Sequence, residues 1–127
     1  RMLAVAKRAI YSNNDIKPIP AKLRQKYLLR GTGSQRSFFR IVPELRNRIK
    51  FQQLNLTDRS FGIRIPIHIL FCRNVIIYFD RKTQIELFKK FYNQLIPGGY
   101  LFIGHSETLY GINGQFHQVA TTIYRRP

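Results

Sequence analysis

Apolar residues are spaced in several distinct ways along this 127-residue chain, and each spacing predicts a different local structure. Near the start, Leu3, Ala6 and Ile10 of MLAVAKRAIY fall at helical intervals with no N-cap residue before them, which predicts the tail of a helix reaching Tyr11. SNNDIKPIP breaks that pattern with Asn, Asp and two prolines. Farther on, Gly31 and Gly33 supply the backbone freedom of a turn, so KYLLR and SFFRIV are expected to pair as a small antiparallel β insertion within residues 22–48. IKFQQLNL (49–56) and IHILFC (67–72) are read as strands separated by a loop.

The pattern is clearest after that. Asp80 is placed to cap a helix whose apolar positions Ile85, Phe88, Tyr92 and Leu95 recur at offsets of three and four. Pro97-Gly98-Gly99 stops this helix and reverses the chain into YLFIGHS (100–106), a further strand. A strand, a helix and a strand in that order predict a parallel β-α-β unit with a right-handed crossover, hence an α/β fold. FHQVATTIYRR adds strand material at the sheet edge. Internal repeats and low-complexity tracts are absent from the sequence.

One run departs from its own pattern. In FCRNVIIYFD (71–80) a cysteine, an arginine and an asparagine interrupt an apolar stretch and are followed by Tyr78. Ligands of an open α/β sheet bind in the crevice beyond the carboxyl ends of its strands. Cys72, Arg73 and Asn74 stand at such an end, as do Asn55 and Leu56 after FQQ, and His105 to Glu107 after YLFIG. Three polar strand ends on one rim predict a binding site. Each residue also has an ordinary explanation: Leu56 as core, Asn55 as a turn residue, Arg73 as a surface charge, Tyr78 as a core aromatic.

Composition narrows the classes. With 44% hydrophobic and 13% aromatic residues the chain is of the folding kind, and its length suits one small domain. A single cysteine, Cys72, excludes an internal disulfide and a multi-cysteine zinc site; no metal site is expected, and a reducing, cytoplasmic setting fits. No apolar stretch approaches the roughly 18 residues that cross a bilayer, so no membrane insertion is expected. The 22 Lys and Arg against 6 Asp and Glu give a formal charge of +16, a field that favours an acidic partner. It is densest through Lys22, Arg24, Lys26, Arg30, Arg36, Arg40, Arg46, Arg48 and Lys50. No nucleic-acid motif accompanies this charge, and a nucleic-acid partner is not expected. GHSET resembles a nucleophile elbow around Ser106, but Thr108 replaces the last glycine and no acidic residue follows Glu107, which argues against a hydrolase.

Taken together, FCRNVIIYFD, LIPGGYLFIGHSE, FQQLNL and the terminal TIYRR resemble the catalytic domain of the chemotaxis receptor methyltransferases, the CheR family, which use S-adenosylmethionine to methylate receptor glutamates. The resemblance extends over essentially the whole chain. It implies the C-terminal portion of a Rossmann-like methyltransferase sheet, with the basic 22–48 segment similar to the family's small β-subdomain that contacts receptors. It also implies that Asn55 and Leu56 border the adenine, that Arg73 and Asn74 lie along the cofactor near its reactive end, and that Tyr78 sits near the position of methyl transfer. Arg73 and Tyr78 are the candidate catalytic residues, and the substrate implied is the cytoplasmic region of a chemotaxis receptor. A glutamate carboxylate, with a pKa of about 4.3, is already ionised at neutral pH, so no general base is required. Alignment and desolvation remain for the protein to supply: an arginine can hold a carboxylate and an aromatic ring can face a sulfonium.

The chain departs from the family in two ways. His68 stands where the family usually has an acidic residue. The family's N-terminal helical domain, its glycine-containing cofactor loop and its ribose-binding acid have no counterpart, since Gly31-Thr32-Gly33 lacks both a third glycine and a strand-to-helix setting. Residues 1–127 are therefore expected to form a truncated methyltransferase domain with a gap between IKFQQLNL and IHILFC. Such a sheet would form a homodimer by strand exchange, pair its strands anew, or expose its edges, and would not be active alone. The competing reading is a non-catalytic basic module that docks on an acidic receptor segment or on nucleic acid.

Overall fold

A computed structural model of the chain describes residues 1–105, 107, 111 and 115–127, in two compact units, Arg1–Gln53 and Leu54–Pro127. The first unit contains α1 (Met2–Arg8), β1 (Ile10–Ser12), α2 (Asn13–Ile16), α3 (Ala21–Tyr27), β2 (Leu28–Arg30), β3 (Phe38–Ile41) and α4 (Pro43–Arg46). Helix α1 stops short of the expected Tyr11. Ala9 turns left-handed at φ 52°, its N–H returning to the Ala6 carbonyl, and the chain then extends. Ile10 and Tyr11 are strand residues because β3 lies alongside and pairs them with Arg40 and Phe39. The three strands form one antiparallel sheet in the order β1-β3-β2.

The expected hairpin is present as β2 and β3, in register from Leu28 opposite Ile41 to Arg30 opposite Phe39. Between them lies a single 3₁₀ turn at Gly33–Gln35. Gly31 is required there, since a Cβ would lie 2.1 Å from the Gln35 carbonyl oxygen. The seven residues before β2 wind into α3, so Lys26 and Tyr27, expected within the first strand of the hairpin, are helical. Ala9, Ile16 and Val42 are the buried apolar residues of this unit.

In the second unit the order is β4 (Ile67–Cys72), α5 (Arg81–Gln94), β5 (Leu95–Ile103), β6 (His117–Ala120) and β7 (Ile123–Arg125). The sheet runs β4-β5-β7-β6. β4 and β5 are parallel, from Ile69 opposite Tyr100 to Cys72 opposite Ile103, as the β-α-β pattern predicts. β7 returns antiparallel against β5, and β6 forms the far edge. Asp80 Oδ1 accepts from the Thr83 amide at 2.8 Å and starts α5; Arg126 closes its other end by donating to the Tyr92 and Leu95 carbonyls.

Leu87, Phe88 and Phe91 of α5 pack with Leu101, Ile103 and Tyr124 of the sheet, joined by Phe61, Leu95 and Phe116. Burial of each such side chain is worth about 1.5–3 kcal/mol, so this cluster is what holds the unit together. Strand parity follows from it. Cys72 faces the core, whereas Ile69 and Phe71 point away from it and Phe71 stacks on Phe102 at 4.7 Å.

The strand expected at 49–56 does not form. Among the described residues no ladder partner runs beside it, and the carbonyls of the following loop are met from α5 instead. Lys90 Nζ donates to the Leu56 and Asp58 carbonyls at 2.5 and 2.7 Å, and Gln94 Nε2 to those of Ile63 and Ile65 at 3.1 and 3.2 Å.

Candidate functional site

The parallel pairing of β4 and β5 brings their carboxyl ends side by side. Beyond Cys72 the chain turns through Arg73 and Asn74, both exposed, and enters a 3₁₀ turn at Ile76–Tyr78. Asn74 has φ 58°, a left-handed conformation that asparagine tolerates better than most residues. With the backbone reversed there, successive N–H groups converge on one point, the geometry of an anion-binding nest.

The anion at that point is Glu107. Its side chain is buried, at 5% exposure; Oε1 accepts from the amides of Val75 at 2.9 Å and Ile76 at 2.8 Å, and Oε2 accepts from Gly104 at 2.6 Å. Burial pushes the Glu107 pKa up, but the bonds from Gly104, Ile76, Val75 and Asn74 outweigh it and hold the carboxyl below its ordinary value. Gly104 has no room for a side chain: a Cβ would stand 2.7 Å from both Asn74 Oδ1 and Glu107 Oε2. Neighbouring Cys72 is pushed up to about 11 by burial and then by the Glu107 charge, so at neutral pH it is a thiol and not a nucleophile.

The second segment of the expected site is Asn55 and Leu56. Asn55 is an Asx-turn residue, its Oδ1 accepting from Thr57 N at 3.1 Å and Thr57 Oγ1 at 2.8 Å, while Nδ2 donates to Asp58 at 3.1 Å. Leu56 lines a groove of about 290 Å³ together with Leu54, Phe61, Ile69, Phe71 and Cys72. That groove joins the 54–56 segment to the end of β4. Of the five residues predicted for the site, Leu56 is the one in its lining; Asn55 adjoins it in sequence, and Arg73 and Asn74 follow directly on Cys72. Tyr78 is 80% exposed on the 3₁₀ turn and is not part of the lining. His68 is an exposed residue of β4, and Ser106, the nucleophile of the discarded hydrolase reading, lies outside the described residues.

Sequence reasoning marked Glu107 as one polar residue of a strand end and gave it no role, and it passed over Lys90 altogether. The available signal was an acid three residues after a glycine at a strand terminus. Its partners lie 31 and 32 positions away, beyond the reach of any local pattern.

Comparison with known proteins gives a consistent answer. A family model described as CheR methyltransferase, SAM binding domain, matches residues 1–125. The chain is 39% identical over 124 residues to a chemotaxis protein methyltransferase of Klebsiella aerogenes, an alignment covering 98% of this chain and 43% of the relative. Against the chemotaxis protein methyltransferase of Escherichia coli the identity is 37% over 123 residues, with 97% and 43% covered. The corresponding protein of Salmonella typhimurium is 35% identical over 123 residues, with the same coverage. The chain thus spans less than half the length of these relatives.

Proposed function

Because this chain belongs to the CheR methyltransferase family, matching its SAM-binding domain, we propose that it contributes part of an S-adenosylmethionine site used to O-methylate glutamate side chains of chemotaxis receptors. The observation that carries this reading is the groove in which Leu56 and Cys72 meet, with Arg73 and Asn74 immediately beyond it.

The residues present fit part of the cofactor. Leu54, Leu56 and Phe61 offer the apolar wall that a flat adenine ring takes, with Asn55 at its border. Arg73 offers a cation for a carboxylate, either the cofactor's own or that of the substrate glutamate. Asn74 lies beside it, and the exposed ring of Tyr78 is assigned to the place where the acceptor approaches the sulfonium. Among the described residues no acidic side chain belongs to the groove lining, so the ribose hydroxyls would be met by groups other than these.

When bound, the cofactor supplies an electrophilic methyl group. What the chain's residues do is hold the acceptor carboxylate in line and away from water, since that carboxylate needs no base at neutral pH. The substrate region would be the cytoplasmic part of a receptor, and the reaction cytoplasmic. The first unit, with 13 Lys and Arg against 2 acidic residues, suits the recognition of an acidic polypeptide. Among the described residues β4 is an edge strand, with Ile69 and Phe71 exposed. We read this edge as the place where the sheet is continued, by strands of the same protein or by a second copy, and catalytic turnover by residues 1–127 alone is not expected.

Calorimetric titration with S-adenosylhomocysteine tests the site. Arg73→Ala is expected to weaken binding about tenfold, equivalent to about 1.4 kcal/mol. An affinity unchanged in Arg73→Ala and also in Leu56→Ala would remove the basis of the assignment.

A further inference from the structure

We infer that Glu107 is a positioning residue: its carboxylate, by gathering the amides that follow Asn74 together with the amide of Gly104, sets the Arg73–Asn74 turn in the one conformation that presents both side chains at the site. This inference rests on the reading given under Proposed function.

Three observations carry it. The turn is exposed at Arg73 and Asn74, so apolar packing of those two side chains does not hold its shape. Its backbone is unusual: Asn74 is left-handed at φ 58°, while Val75 has φ −126° and ψ −38°. This alternation directs neighbouring N–H groups to one side, where they need an acceptor. Lastly, the acceptor is a single buried side chain that reaches across from the segment following the other strand of the parallel pair, bonding Val75 and Ile76 through one oxygen and Gly104 through the other. A carboxylate is the side chain suited to this task, being acceptor-only on both oxygens and bonded more strongly than a neutral amide oxygen. Gly104 belongs to the same device. Its missing Cβ is the space into which Asn74 Oδ1 and Glu107 Oε2 fit.

Glu107→Gln keeps the length and shape of the side chain but turns one acceptor oxygen into an NH₂ group facing backbone N–H donors. In the full 127-residue chain, amide exchange at Val75, Ile76 and Gly104 is expected to accelerate tenfold or more relative to Leu101. Affinity for S-adenosylhomocysteine is expected to fall about tenfold, measured well below the melting temperature. Arg126→Ala loosens the opposite end of β5 and serves as the control for a merely structural role: at a similar loss of melting temperature it should keep its affinity within twofold. If Glu107→Gln does not fold, Gly104→Ala keeps the acid in the chain but pushes on both Glu107 Oε2 and Asn74 Oδ1, and the same loss of affinity is expected.

Asn74→Gly separates the two readings, since it keeps the left-handed backbone and removes the side chain. If Asn74→Gly weakens binding while Glu107→Gln and Gly104→Ala bind like the unaltered chain, the positioning role is wrong and the site stands. If the unaltered chain shows no binding, or neither Arg73→Ala nor Asn74→Gly changes it, the site reading fails and this inference falls with it.

Discussion

Residues 1–53 and 54–127 put charge and apolar surface to opposite uses. The first unit carries 13 Lys and Arg against 2 acidic residues and buries Ala9, Ile16 and Val42, leaving Leu29, Phe38 and Ile49 among its exposed apolar residues. The second carries 9 basic residues against 4 acidic ones and packs Leu87, Phe88, Phe91, Leu101 and Tyr124 into a continuous core. Backbone pairing is good in both, with a three-stranded sheet in one and a four-stranded sheet in the other. Hydrogen bonding therefore does not distinguish them. What differs is the apolar area removed from water, the dominant favourable contribution to folding, set against self-repulsion of like charges. The second unit has the larger buried core, and the first carries the denser positive charge on fewer buried apolar residues.

Core substitutions give the largest expected effects. Leu101, fully buried, should cost about 2–5 kcal/mol on truncation to alanine, whereas Val42→Ala in the first unit should cost about 1–2 kcal/mol. Chemical denaturation followed by tyrosine fluorescence and by circular dichroism would measure both. Equal losses would show that the first unit has a core as consequential as that of the second.

The helix caps sharpen the comparison on a smaller scale. Asp80 starts the 14-residue α5, and Ser12 forms a capping box with Asp15 on the four-residue α2. Asp80→Ala is expected to lower stability by about 1 kcal/mol, because α5 carries the core with it. Ser12→Ala should cost less than half of that, since α2 is a single turn that buries only Ile16. Thermal melts of the two variants decide the matter, and a larger effect at Ser12 would reverse the ranking of the units.

Acid gives the smallest effect at neutral pH and separates the units only below it. Glu107 has a folded pKa below its unfolded value, so its contribution is fully present above the unfolded value of about 4.3 and is lost as pH falls through the folded pKa. Asp15, fully exposed, is also held low by Ser12, but little structure depends on it. Melting temperature measured downward from pH 6 should therefore fall less steeply in Glu107→Gln than in the unaltered chain. Identical slopes would mean that Glu107 does not contribute to acid unfolding.

Part of this was legible because it is local. The offsets of Ile85, Phe88 and Tyr92 and the cap at Asp80 act within a turn or two of chain, and α5 between its parallel strands follows from them; the helix ends at Gln94, however, so Leu95 and Pro97-Gly98-Gly99, expected as its last position and its stop, are already part of β5. The hairpin was readable for the same reason, with Gly31 and Gly33 marking its turn. The candidate site was read from polar residues at three strand ends, and the resemblance of FCRNVIIYFD, FQQLNL and LIPGGYLFIGHSE to a family supplied the roles proposed for them. Periodicity misjudged Ile10 and Tyr11, which are helical by spacing and extended because β3 pairs with them. It also misjudged 49–56, whose alternation suits a strand but which has no ladder partner among the described residues.

By itself, then, the sequence determined those elements whose caps, turns and apolar spacing lie within a few residues of one another, the uneven distribution of charge, and the family. Tertiary structure alone decided which backbone groups meet across thirty or more positions: the amides of Val75 and Ile76 on Glu107, and the carbonyls of Leu56 and Asp58 on Lys90. The physical reason is that a buried polar group is costly until it is paired, and the identity of its partner depends on where two distant segments come to rest.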